Sequence, residues 1–131
     1  QWFNSPESFV HDCHRALRPG GCAFLTTYTR GNMHEISDIT GNALPLLTPG
    51  RWRELAEPLF DIIAFEAYER DLDFESPADV LRHLKLTGVN SLSRSSRGTV
   101  SVRTIIDRYP MRLDGRYHLT YRPIIMILRK R

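Results

Sequence analysis

The sequence predicts an α/β domain, on three observations. The run Cys22-Ala23-Phe24-Leu25-Thr26-Thr27-Tyr28 is short, apolar and followed by Gly31, the pattern of a strand buried on both faces as in a parallel sheet. Ahead of it Phe9, Val10, Cys13, Ala16 and Leu17 recur at helical period. Between the two, Arg18-Pro19-Gly20-Gly21 stops the helix, because proline cannot continue it and glycine accepts a positive φ.

The elements follow in order. Ser5-Pro6-Glu7 is a helix start, with serine as N-cap and proline in the first turn. Asn32 and Glu35 are spaced as a capping pair for a helix carrying Met33, Ile36 and Ile39. Thr48-Pro49 opens a short helix with Trp52, Leu55, Ala56 and Leu59 inward. Phe60 to Phe74 mixes β-branched, aromatic and charged residues and predicts one long strand near an edge. Ser76-Pro77-Ala78-Asp79 starts a helix with Val80, Leu81, Leu84 and Gly88 on one face. Residues 91–99 are rich in Ser, Arg and Gly and predict a loop; Ser101 then caps a helix with Val102, Ile105, Ile106 and Tyr109 inward. Tyr117 to Leu128 is a last β-segment, in which Pro123 either delays pairing to Ile124 or forces a bulge. Three strands make a thin sheet for this many helices. One face or edge is expected to stay open unless another segment or a second copy covers it.

Composition bounds the class. The chain has 131 residues, 41% hydrophobic and 25% charged, as in one ordinary globular domain. No stretch approaches the roughly 18 apolar residues that span a bilayer, and no signal-peptide pattern opens the chain. A cytoplasmic protein without membrane contact is expected. Cys13 and Cys22 predict buried free thiols. Residues 94–131 carry ten Arg or Lys against two Asp, a net of +8, so the rest carries −5. That basic third suits either a solvated face or an acidic partner. Its cations are dispersed, and with no zinc, RNP-like or helix-turn-helix pattern, nucleic acid is not expected as a partner. His11 and His14 stand three apart on the first helix, off its apolar stripe, with no third ligand, so solvent-facing histidines and no metal are expected.

Several short segments then occur in one order. They are Gln1-Trp2, Leu17-Arg18-Pro19-Gly20-Gly21 between helix and strand, and Gly31-Asn32-Met33-His34-Glu35-Ile36. After them come Leu84-Lys85-Leu86-Thr87-Gly88-Val89-Asn90 and Leu119-Thr120-Tyr121. Together they resemble the biotin-pathway malonyl-acyl-carrier-protein O-methyltransferases, a class I S-adenosylmethionine-dependent family. The resemblance covers essentially the whole chain and implies the C-terminal portion of a Rossmann-like fold. That portion has the last three strands in a mixed sheet, with a helical insertion between the final two. The implied division is 1–75, 76–116 as insertion and substrate cap, and 117–131 as last strand.

The resemblance also implies chemistry. Such enzymes methylate the free carboxylate of a malonyl thioester on acyl carrier protein, masking its charge for biotin synthesis. A carboxylate is already ionised at neutral pH and needs positioning more than a base. An arginine is the natural clamp. The family pattern places it after the Gly-x-Asn segment, where this chain has Arg94 and Arg97, with Arg97 favoured; an unpartnered loop arginine is the alternative. Trp2 and Tyr121 are substrate-side candidates, each with a packing role as alternative, and Gln1 faces the cofactor. Arg94, Arg97, Arg103 and Arg108 are the implied docking face for the acidic carrier protein. The glycine-rich loop and acidic strand end that hold S-adenosylmethionine are not in this sequence. The piece is therefore expected to be inactive alone and to bind no cofactor. Two other readings stay open: a methyltransferase for another small acid or lipid, and a non-catalytic module that binds a carrier protein or forms a homo-oligomer through an open sheet edge.

Overall fold

The computed structural model describes residues 5–88 and 100–131. They fall into two compact units. The first takes the described residues up to Asn32, with Pro45–Glu69 and Arg122–Arg131; the second takes Met33–Leu44 and the described residues of Arg70–Tyr121.

In the first unit, helix α1 (Pro6–Ala16) starts where Ser5 Oγ accepts the Ser8 N–H at 3.1 Å. Val10 is its buried residue, with Phe9, Cys13 and Leu17 packed beside it, while Ala16 is exposed, so the apolar stripe is narrower than predicted. The Pro-Gly-Gly turn, with Gly20 at φ +75°, leads into strand β1 (Cys22–Tyr28). Helix α3 (Pro49–Ala56), capped by Thr48, buries Trp52 and Ala56. Strands β2 (Phe60–Ala67) and β5 (Pro123–Lys130) complete a three-stranded sheet of order β1-β5-β2. Both pairings are antiparallel. On β5 the alternation is decisive: Ile124, Met126 and Leu128 are buried and pack with Val10, Trp52, Ala56 and Phe60. Each such side chain contributes about 1.5–3 kcal/mol of transfer free energy before entropic costs.

The second unit holds α2 (His34–Thr40), β3 (Arg70–Phe74), α4 (Pro77–Leu86), α5 (Val102–Arg108) and β4 (Tyr117–Tyr121), with β3 and β4 antiparallel. Ser76 and Ser101 cap α4 and α5 as the sequence predicts. The core is Ile36, Val80, Leu84, Ile105, Tyr109 and Leu119.

Five expectations need correction. β1 is not buried on both faces; Cys22, Phe24 and Thr26 are exposed, because its antiparallel sheet has helices packed on one face only among the described residues. Each long predicted strand divides in two: Phe60–Phe74 breaks at Tyr68 and Glu69, and the last segment breaks at Arg122. Arg122 N–H leaves the ladder because it donates to Asn32 Oδ1 at 2.8 Å. Pro123 pairs without a bulge, opposite Tyr28, and the irregularity lies instead at Ile63 on β2, between Ile62↔Leu128 and Ala64↔Ile127. Asn32 and Glu35 do not cap α2, whose N-cap is Met33 in the left-handed region at φ 53°. Finally, Val102 and Ile106 are exposed, and Gly88 lies beyond the end of α4 at φ +75°. No helix among the described residues is long and apolar enough to cross a membrane.

Candidate functional site

Of the predicted site residues, Tyr121, Arg103 and Arg108 are described; Gln1, Trp2, Arg94 and Arg97 lie outside the described residues. Tyr121 ends β4. It is half-buried, and its hydroxyl lies 3.0 Å from Nε2 of His83 on α4. The His83 ring also meets Phe74, centroid to centroid at 5.4 Å. Whether the phenol donates or accepts in this contact depends on the tautomer of the histidine. Sequence reasoning did not single out His83, since a histidine beside Leu84 on an amphipathic helix carries no signal of its own.

One residue on from β4's core Leu119, the polar arrangement tightens. Thr120 N–H donates to Glu35 Oε2 at 3.1 Å, and Met33 N–H donates to Thr120 O at 2.7 Å. The start of α2 thereby serves the strand backbone. Thr120 Oγ contacts the other Glu35 oxygen and lies 2.9 Å from Asp71 Oδ1 on β3. A hydroxyl has one proton, so it donates to one of these carboxylates at a time. Glu35 is buried, and a carboxylate is buried at tolerable cost only when donors of this kind meet it. Its position near the Ile36/Ile39 face of a predicted helix was the available signal.

Tyr109, at the C-terminal end of α5, is buried and donates its hydroxyl to His118 O at 2.7 Å. Burial, and then the nearby Glu35 and Tyr121, push its phenol well above the usual tyrosine range. His118 itself stands among three carboxylates: Nδ1 is 3.3 Å from Asp73 and 3.8 Å from Asp71, and Nε2 is 3.2 Å from Asp114.

On the α5 surface Arg103 and Arg108 are both exposed. Arg103 reaches Asp107 only at 3.9 Å, and Arg108 has no ion pair among the described residues. Exposed Val102, Ile106, Met111 and Leu113 lie in the same stretch. The predicted histidine pair separates: His11 is exposed, but His14 is half-buried with its ring edge-on to Phe60 at 5.4 Å, so it is a packing residue rather than a solvent-facing one. No group of His, Cys, Asp or Glu suited to a metal occurs among the described residues. Both cysteines are free, with Cys22 exposed rather than buried as predicted.

No family model matches the chain. Curated relatives do. The malonyl-[acyl-carrier protein] O-methyltransferase of Chlorobium luteolum is 35% identical over 134 residues, covering all of this chain and 51% of the relative. Those of Bacteroides helcogenes and Haemophilus influenzae are 35% and 30% identical, over 100% and 98% of this chain and 49% and 51% of the relatives. The chain thus spans about half the length of the curated relatives it matches. Among solved structures, a Bacillus halodurans protein assigned as a methyltransferase aligns at a TM-score of 0.59, with 14% identity, over 98% of this chain and 59% of that one. The MccD protein aligns at 0.53, also with 14% identity, over 99% and 56%. These last two speak for the fold alone.

Proposed function

We propose that this chain, a homologue of the malonyl-[acyl-carrier protein] O-methyltransferases along its whole length, forms the acceptor side of an S-adenosylmethionine-dependent O-methyltransferase. The reaction is methyl transfer to the free carboxylate of malonyl-acyl carrier protein, in biotin synthesis. The observation that carries this reading is the 30–35% identity, over essentially every residue, to relatives of that name.

The residue roles follow from the resemblance to that family. Arg97, or Arg94 in its place, pairs with the malonyl carboxylate through charge-assisted hydrogen bonds and leaves one oxygen available to attack. Tyr121, which meets His83, and Trp2 are the residues assigned to the substrate. Gln1 is assigned to the cofactor. Arg103 and Arg108 join Arg94 and Arg97 in steering the acidic carrier protein. The exposure of Arg103 and Arg108 supports that role. The cofactor supplies an electrophilic methyl group when bound. Gly31, the glycine that follows β1, offers it no open cradle, since a Cβ placed there would lie 2.5 Å from the Arg122 guanidinium.

The test uses the whole protein. Methyl transfer from radiolabelled S-adenosylmethionine is measured with malonyl-acyl carrier protein, malonyl-CoA and unrelated small acids. Preference for the carrier-bound malonyl group, with kcat/KM falling on raising salt, is the expected result. Equal or better methylation of an unrelated acid or lipid would overturn it.

A further inference from the structure

In the second unit, Thr120 is held along the edge of β4 that β3 does not occupy. It stands opposite Asp71 in the ladder, yet its main-chain groups point the other way. Its N–H donates to Glu35 Oε2 at 3.1 Å, and its C=O accepts the Met33 N–H at 2.7 Å. Alternate residues of an antiparallel strand turn these groups to the outer edge, so the start of α2 takes the place of a neighbouring strand. Thr120 Oγ touches the second Glu35 oxygen and lies 2.9 Å from Asp71 Oδ1.

Closing an edge needs no carboxylate. A further strand, or a neutral amide or hydroxyl, would meet the same N–H without burying a charge. Burying one is costly even where donors receive it, and Glu35 is 5% exposed. Met33 adds a second cost. It is the one non-glycine residue at positive φ among those described, at 53°, and strain of this kind persists where surrounding contacts over-determine it. Both features converge on Thr120. The next residue is Tyr121, where β4 ends, with its hydroxyl 3.0 Å from His83 Nε2. A planar peptide joins the two, so a shift of Thr120 along or off the strand carries Tyr121 with it.

We propose that Glu35 is a positioning residue: by clamping the Thr120 main chain it fixes where Tyr121 stands, and with it the contact between Tyr121 and His83. The inference rests on the substrate-side role proposed for Tyr121, and it gives the buried carboxylate a part that the functional reading leaves open.

The first arm of the test uses the chain itself and follows the ring nitrogens of His83 by NMR in the parent, Glu35→Ala and Glu35→Gln. A glutamine amide can accept the Thr120 N–H and donate to Thr120 Oγ, which then donates to Asp71, but it has no charge. Glu35→Ala is expected to move the His83 ring signals and Glu35→Gln to restore those of the parent. Loss of charge alone would move both alike. Should Glu35→Ala fail to fold, Glu35→Asp takes its place, since the shorter side chain withdraws the carboxylate from Thr120. The second arm measures methyl transfer by the whole protein to whichever acceptor it methylates. Glu35→Ala is expected to lower kcat/KM for the acceptor about tenfold or more, with KM for S-adenosylmethionine unchanged and Glu35→Gln restoring most of the loss. In a Tyr121→Phe background the same substitution should cost less than about twofold, because both act on one contact. The inference is overturned if the His83 signals ignore Glu35→Ala, if Glu35→Gln behaves as Glu35→Ala does, or if the losses of Glu35→Ala and Tyr121→Phe multiply as at independent sites. A whole protein that prefers an acceptor other than malonyl-acyl carrier protein counts only against the proposed reaction, and the same variants then test the positioning on that acceptor.

Discussion

The two units reach a closed core by different means. The first is closed by apolar alternation: Ile124, Met126 and Leu128 face Val10, Trp52 and Phe60, with no buried carboxylate among them. The second is smaller in sheet, with two strands, and its interior includes Glu35, Thr120 and the Tyr109 hydroxyl, each matched to a specific partner. A non-directional core tolerates small displacements; a hydrogen-bonded one fails when one partner is lost, since an unmatched buried group bears its full desolvation cost. Of the proposed site residues among those described, Tyr121 on the substrate side and the carrier-docking arginines of α5 all belong to the second, polar unit. Directional partners added to packing hold side-chain geometry more closely, which suits the substrate-orienting role proposed for Tyr121.

The sharpest way to break the contrast is Phe60→Ala, at a fully buried side chain. A loss of about 3–5 kcal/mol is expected from lost transfer energy and the cavity left behind. Trp52 lies in the same core, so its fluorescence during urea unfolding reads the effect directly. Next comes Glu35→Ala, which strands the Thr120 N–H and is expected to cost about 1–3 kcal/mol. Exchange of amides on β4 and α2 should accelerate, while the Trp52 signal shifts less. Equal shifts in both readouts would mean that the two units unfold as one, and the comparison would fail.

The smallest effect is Tyr109→Phe, about 0.5–1.5 kcal/mol for one hydrogen bond at neutral pH. It also sharpens the pH dependence. The folded-state phenol titrates above its ordinary value near 10, so the folded chain holds this proton more tightly than the unfolded chain. The corresponding stability is fully present below that ordinary value and is lost as pH rises from there through the folded value. Alkaline unfolding curves of the parent chain should therefore steepen above that point, and those of Tyr109→Phe should be flatter. Parallel curves would show that burial of this phenol contributes nothing to the linkage.

Much of the fold was legible because its signals are local. Serine and threonine caps at Ser5, Thr48, Ser76 and Ser101 all hold, since a cap needs only a side-chain oxygen three residues ahead of an amide. The helix, Pro-Gly-Gly turn and strand at the start hold for the same reason. The site was legible only in part. The order of short motifs pointed to the relatives that the comparisons found, but His83 and Glu35 acquire their partners from segments far along the chain. His83 meets Tyr121, and Glu35 meets Thr120.

Local sequence signals account for the starts of α1, α3, α4 and α5, the buried faces of α1, α3 and α4, the existence of β-segments and the likeness to a methyltransferase family. Those depend on periodicity, turn chemistry and composition within short windows. Long-range pairing sets where the long strands break, which way β1 pairs, and that Asn32 and Glu35 serve distant amides instead of their own helix. An amide at Arg122 or Thr120 must find an acceptor somewhere. Which side chain supplies it is set by proximity in space, across 90 and 85 residues of sequence, and no local pattern encodes that distance.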